Sequence, residues 1–181
     1  MGIKKLTQQE LGEARRQRWE QERINRFPVS VMLENIRSLY NVGSIFRTSD
    51  GALIEKLYLS GYTGYPPRKE IDKTALGSVE SVPWERTPNM FEVMYNLRNA
   101  GYQIVTLEQT NKSVPYNKAV YKFPLCLMVG NEVGGVTDAV AEKSDLAIDI
   151  PMHGLKQSLN VSVAYGIVIY HIIEEYKKGL R

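Results

Sequence analysis

Short apolar runs that alternate with helix-forming segments predict an α/β fold, with a mainly parallel sheet and helices on both faces. Two further observations agree. An apolar run, Leu125-Cys126-Leu127-Met128-Val129, passes straight into a glycine-rich turn, a common address for ligands in parallel sheets. The last long helical segment is apolar nearly all round, so it needs cover on nearly all sides. The chain's 181 residues suffice for one domain with a sizeable core.

Taken in order, Thr7-Gln8-Gln9-Glu10 has capping-box form, with Leu6 and Leu11 at the hydrophobic-staple positions, and predicts a helix from about Gln8 to Ile24. Val29–Leu33 reads as a strand. Val42–Ala52 reads as a helix with Val42, Ile45, Phe46 and Ser49 on one face. Leu57–Ser60 is a strand, and Gly61–Lys69 a Gly/Pro/Tyr loop. Thr87-Pro88 opens a helix that buries Phe91, Met94 and Leu97 and closes at Gly101. Strands follow at Tyr102–Thr106, Leu125–Val129 and Leu146–Ile150, with a short helix over Thr137–Lys143 and the long one over Ser158–Lys177.

Composition narrows the function classes. No apolar run approaches the roughly 18 residues that span a bilayer, and the polar first 22 residues do not resemble a secretory signal. A single cysteine, Cys126, excludes an intrachain disulfide and is either a buried core thiol in a reducing compartment, which agrees with a cytoplasmic protein, or a reactive nucleophile. Two histidines and one cysteine, widely spaced, argue against zinc. Residues 1–26 carry seven Lys/Arg and four Glu, which accounts for the whole net charge of +3. A basic helical arm (1–26) therefore precedes a neutral domain (27–181). The arm is either a phosphate contact or a solvated helix.

Three motifs carry the chemistry. The first runs from Asn35 to Thr48, where a strand enters a polar turn and then a helix. Asn41 and Gly43 fall at the helix start, where free N–H groups can meet an anion. Arg47 lies one turn in, as a functional cation or a surface ion pair. The second motif, Gly130-Asn131-Glu132-Val133-Gly134-Gly135, offers close backbone approach to a ligand at Gly130 and positive φ at Gly134 and Gly135. Glu132 is a site carboxylate or a helix-start charge. The third motif spans Ile148 to Ala164, a strand, a loop and the apolar helix. Ser158 and Asn160 are ordinary capping residues, but Asn160 and Ser162 are oddly polar for the start of so apolar a helix.

In order and spacing these motifs, over roughly Val29 to Tyr176, closely resemble the SpoU (TrmH-like) branch of the SPOUT RNA 2'-O-ribose methyltransferases. The resemblance implies a deep C-terminal trefoil knot, a rare exception to the usual topology rules. It also implies S-adenosyl-L-methionine as methyl donor without a metal, and a homodimer that completes the active site. Asn41 and Arg47 match the catalytic pair of the first motif, Glu132 the acid of the second, and Ser158 and Asn160 the polar pair of the third. The backbone at Gly130, Ile150 and Leu159, with Leu107 or its neighbours at an earlier strand end, matches cofactor-holding positions, and Lys73–Gly77 resembles a family element near the site. His153 stands where relatives often have an apolar residue, which leaves its role open.

The implied reaction is attack of a ribose 2'-oxygen on the sulfonium methyl, with reacting atoms brought to about 3–3.5 Å. A guanidinium holds its proton, so Arg47 is better placed against the neighbouring phosphate, where it favours negative charge on the 2'-oxygen, than as a literal base. Arg15, Arg16, Arg18, Arg23 and Arg26, with Trp19, offer RNA contacts on the arm, as do Arg37 and Arg68 on the domain. Tyr62 and Tyr65 are further candidates for such contacts. tRNA is favoured over rRNA because only a short arm precedes Val29. The alternative is an RNA- or ribosome-binding protein of the same fold that has lost catalysis. No Gly-x-Gly-x-x-Gly turn follows an early strand, which argues against the Rossmann-like methyltransferases.

Overall fold

The computed structural model describes residues 2–21 and 25–180, without the side chains of residues 15, 16 and 18–21. In chain order the elements are α1 (Gln8–Gln21), β1 (Phe27–Glu34), α2 (Leu39–Ala52), β2 (Ile54–Ser60), α3 (Lys69–Ala75), α4 (Ser78–Ser81) and β3 (Trp84–Thr87). These are followed by α5 (Met90–Asn99), β4 (Gln103–Leu107), β5 (Val114–Pro115), β6 (Leu125–Val129), α6 (Asp138–Glu142), β7 (Leu146–Asp149) and α7 (Val161–Gly179). All seven strands pair in parallel, in the order β3-β2-β1-β6-β4-β7-β5.

Strand β6 lies in the middle and is apolar at every position because both its faces are covered. Alternation along the central strands splits the core in two. Val31, Leu33, Val105, Leu127 and Val129 face the side packed by α2 and α7, where Val42, Ile45, Phe46, Tyr165, Val168, Ile169 and Ile172 are buried. Met32, Ile104, Cys126 and Met128 face the side packed by α5 and α6, with Met94, Leu97 and Val140. Helices thus cover both faces. Burial pushes the Cys126 thiol up to about 12, which makes it a core residue and not a nucleophile.

Register places the site. Leu33 pairs with Val129, Val129 with Leu107, and Leu107 with Ile148. The carboxyl ends of β1, β6, β4 and β7 therefore lie in one row, and the chain leaves them as the first motif, the second motif, Glu108 and the third motif.

Several expectations need correction. Helix α2 begins at Leu39, capped by the Ser38 hydroxyl, so Asn41 and Gly43 lie inside it. Gly43 is needed there because a Cβ would strike Thr74 and the Ile71 carbonyl of α3. Thr87 ends β3 instead of opening a helix; Asn89 caps α5, accepting from the Glu92 N–H. Phe91 is 39% exposed, and the Lys143 ammonium lies over its ring. Helix α7 starts at Val161 with Asn160, not Ser158, as its cap. The capping box at Thr7 and Glu10 forms as expected.

Candidate active site

The turn after β6 is a closed knuckle. Asn131 and Gly135 exchange N–H···O bonds at 2.9 Å, and the Asn131 side-chain oxygen accepts from the N–H groups of Val133 and Gly134. Gly130 is required by this turn itself, because a Cβ would strike the backbone of Gly135 and Val136. Only Gly135 of the Gly134-Gly135 pair has positive φ, at 66°. Two carboxylates hold the far side of the turn: Glu108 accepts from the Val136 N–H at 3.0 Å, and Glu34 accepts from the Thr137 N–H and hydroxyl.

Glu132 projects from this turn onto the start of α2. Its carboxylate accepts from the N–H groups of Arg37 and Ser38 and from the Asn41 side-chain amide, each at 2.9 Å. The anion met by these N–H groups is thus the chain's own side chain. Burial opposes its ionisation, but the two backbone N–H groups and the Asn41 amide outweigh burial and hold the carboxyl below its ordinary value.

The first and third motifs meet at Asn41 and Asn160. The Asn160 amide donates to the Asn41 side-chain oxygen at 3.1 Å, while its own oxygen accepts from the Ser162 N–H and hydroxyl. Both amide orientations follow from the ends of the chain. Ser162 N–H can only donate, and an ionised carboxylate can only accept. Each amide keeps one N–H not used in this series.

Beside these amides a cleft opens between the row of strand ends and the loop before α7. Leu107, Gly130, Ile150 and Leu159 all line it, together with Glu132, Ser158, Glu108, Asp149 and Val161. The expected cofactor-holding positions therefore converge on one cavity. Among the described residues, no group of His, Cys, Asp or Glu side chains is arranged to hold a metal ion.

Arg47 is not brought into the cleft. It is exposed on α2 and makes no hydrogen bond or ion pair among the described residues, so the surface ion pair is absent there. One turn on, a Cβ at Gly51 would come 2.7 Å from the Tyr170 hydroxyl of α7. Arg47 therefore lies one turn before the α2 residue that meets α7.

Of the expected RNA contacts, Arg37 and Arg68 are exposed beside and before the site elements. Arg23 lies outside the described residues, as do the side chains of Arg15, Arg16, Arg18 and Trp19. Arg26 is used internally, donating to the carbonyls of Ile54 and Ser81. In the Lys73–Gly77 segment, the Thr74 hydroxyl donates to the Tyr40 carbonyl and ties α3 to the start of α2. His153 is exposed in the loop before α7.

The sequence alone does not single out Asn131 or Gln109, and reaches Glu108 only as a neighbour of Leu107. Gln109 donates to the Gln157 carbonyl at 2.6 Å and ties the end of β4 to the loop carrying Ser158. The available signal is position alone: Asn131 lies between Gly130 and Glu132, and Glu108 and Gln109 follow Leu107.

The profile of the SpoU rRNA Methylase family matches residues 28–170. A tRNA (guanosine(18)-2'-O)-methyltransferase of Aquifex aeolicus is 36% identical over 141 residues, 77% of this chain and 66% of that enzyme. The chain covers 66% of that relative and 62% and 57% of two TrmH family tRNA/rRNA methyltransferases of Staphylococcus, less than two thirds of each. Among solved structures, a TrmH/SpoU tRNA modifying enzyme of A. aeolicus superposes with a TM-score of 0.80 at 31% identity, over 93% of this chain and 85% of that one. An AdoMet-bound rRNA methyltransferase from Sinorhizobium meliloti superposes with a TM-score of 0.76 at 30% identity, over 81% of this chain and 56% of that one.

Proposed function

The chain belongs to the SpoU rRNA Methylase family, and from that premise we propose that it transfers a methyl group from S-adenosyl-L-methionine to a ribose 2'-hydroxyl of RNA. The observation that carries this reading is the Asn41–Asn160 bridge, which joins the first and third motifs beside a cleft lined by the ends of β4, β6 and β7; Glu132, which holds Asn41, and Leu159 and Val161, which flank Asn160, line that cleft. The lining suits the cofactor. Leu107, Ile150, Leu159 and Val161 offer apolar walls to a flat ring, and the carboxylates of Glu108 and Asp149 offer negative charge to a cationic ligand. When bound, the cofactor supplies a methyl made electrophilic by its sulfonium.

The chain's own residues position the other reactant. The uncommitted N–H of Asn41 and that of Asn160 hold ribose oxygens, and the ionised Glu132 keeps Asn41 facing the right way. Ser158, on the cleft wall, adds a hydroxyl to the same task. Arg47 sits against the phosphate next to the reacting ribose and favours negative charge on the 2'-oxygen.

A homodimer belongs to this proposal. Val163, Ile167 and Tyr170 recur at helical spacing on α7 and are 50%, 37% and 50% exposed in the single chain. A second copy on that stripe would also cover the neighbouring part of α2, where Gly51 meets Tyr170 and Arg47 lies one turn away. We also carry the trefoil knot into the proposal, supported by the insertion of β6 between β1 and β4 although it follows both in sequence.

tRNA is the favoured substrate, supported by the tRNA specificity named for the Aquifex relative. The basic arm 1–26, with Arg37 and Arg68, supplies phosphate contacts. No helix among the described residues is long and apolar enough to cross a membrane, and we place the protein in the cytoplasm with its substrate. The catalytically silent RNA binder is separated by experiment. Titration with S-adenosyl-L-methionine, followed by incubation with tRNA and rRNA pools and labelled cofactor, should give saturable binding and label in one pool. Absence of both favours the silent binder.

A further inference from the structure

Three tyrosines surround the first motif, and the structure uses them differently. The Tyr65 ring is packed against the core with the Arg86 guanidinium 4.5 Å from its centroid, so one face is taken. The Tyr40 ring has the Lys73 ammonium 5.9 Å from its centroid. Tyr62 differs from both. It is 62% exposed, and among the described residues no cation or second ring lies over it.

An exposed tyrosine is ordinarily free to swing, but Tyr62 is held at both ends. Its backbone N–H donates to the Asn35 side-chain oxygen at 3.1 Å, and its hydroxyl accepts from the Asn131 amide at 3.0 Å. The same Asn131 amide donates to the Asn35 carbonyl at 2.8 Å, so the two anchors are themselves joined. Asn35 adopts a left-handed conformation, φ 58°, to make this arrangement, and Gly61 must lack a Cβ because one would strike the Asn35 side chain. Asn takes this left-handed conformation more readily than other side chains. Its contacts here hold Tyr62 at both its backbone and, through Asn131, its hydroxyl.

The anchor also fixes where the ring stands. Asn131 precedes Glu132, whose carboxylate holds Asn41, and Asn35 lies two residues before Arg37, whose N–H bonds that same carboxylate. The ring is therefore built onto the frame that orients the proposed ribose-binding amides. A rigid aromatic whose face is free loses little freedom when a flat ring stacks on it. Its immediate partners are the amides of Asn35 and Asn131, a polar surround that suits a nucleobase.

We propose that Tyr62 is a stacking platform for a base of the substrate RNA, at or next to the methylated nucleotide. This rests on the RNA-methylating reading and adds a named recognition residue to it. Stacking is sequence-tolerant, so the platform contributes to affinity and placement of the nucleotide more than to base identity.

The test is steady-state methyl transfer to purified tRNA and rRNA pools by full-length wild type, Tyr62→Leu, Tyr62→Phe and Tyr62→Trp, with cofactor affinity measured in parallel. Tyr62→Leu should raise the KM for RNA about tenfold, with a smaller change in kcat and unaltered cofactor affinity. Tyr62→Trp and Tyr62→Phe, which keep a ring, should recover most of that loss. Two results overturn the proposal: Tyr62→Leu with a wild-type KM for RNA, or Tyr62→Phe as impaired as Tyr62→Leu. The second would assign the residue to its hydrogen bond with Asn131. Wild type that methylates no RNA would refute the underlying reading, and the platform with it.

Discussion

The Asn160 amide donates to the Asn41 side-chain oxygen at 3.1 Å, a contact between residues 119 positions apart. Through it, the cap of the last helix and the start of α2 share one hydrogen-bonded series that ends on the Glu132 carboxylate. Capping and the proposed substrate positioning therefore fall on the same side chain, and a substitution can separate them.

Asn160→Asp makes that separation. A carboxylate still accepts from the Ser162 N–H, so the cap survives and thermal stability should move by less than about 1 kcal/mol. The donor to Asn41 is lost, and an acceptor now faces an acceptor. Methyl transfer should fall about 10²-fold. Paired melting curves and turnover numbers check this, and Asn160→Ala should lose both properties together.

Glu132 ties the site to pH. Its carboxyl is held below the ordinary 4.5, because the N–H groups of Arg37 and Ser38 and the Asn41 amide outweigh the opposing effect of burial. A depressed carboxyl contributes stability above its unfolded value and loses it as pH falls through the folded one. The wild type should be more stable than Glu132→Gln at neutral pH, and the gap should close below the ordinary carboxylate range. Denaturant titrations of both proteins at a series of pH values check the sign; a gap that widens towards acid contradicts it.

Arg47 has no partner among the described residues to lose, so its removal should spare the fold. Arg47→Ala should keep its melting temperature and cofactor affinity while turnover drops about 10²-fold or more. Arg47→Lys separates two roles. Retained turnover means that positive charge suffices, whereas a loss close to that of Arg47→Ala means that the planar fork is required.

The exposed stripe on α7 predicts a change of assembly. Ile167→Glu places a charge in the middle of Val163, Ile167 and Tyr170, and should convert a dimer to monomers in sedimentation. Cofactor binding should survive better than methyl transfer if a second copy is needed around Arg47. An unaltered dimer would place the interface elsewhere.

Much of this architecture is legible in the residues, for identifiable reasons. β6 has the bounds expected of it because five consecutive apolar residues, buried on both faces, leave no other register. α7 is harder to bound, since Ser158 and Asn160 are both good caps; Asn160 takes the role by accepting from the Ser162 N–H. α3 is seven residues long, and its contacts are with α2: Thr74 reaches Tyr40, and Gly43 admits the Ile71 carbonyl. Nothing within the Lys69–Ala75 segment reveals those contacts. The partners of Glu108, Asn131 and Tyr62 are likewise distant in sequence, so that Tyr62 reads as a candidate RNA contact without any sign of the bond that holds it.

The most direct test is the chemical position of the methyl group. Wild-type protein, labelled S-adenosyl-L-methionine and the accepting RNA pool are incubated, and the product is hydrolysed with alkali. A 2'-O-methyl group blocks cleavage at its own nucleotide, so the account predicts that the label survives in an alkali-resistant dinucleotide and is absent with Arg47→Ala. Label released in mononucleotides would mean that a base was methylated, and would contradict the assignment of Asn41 and Asn160 to a ribose hydroxyl.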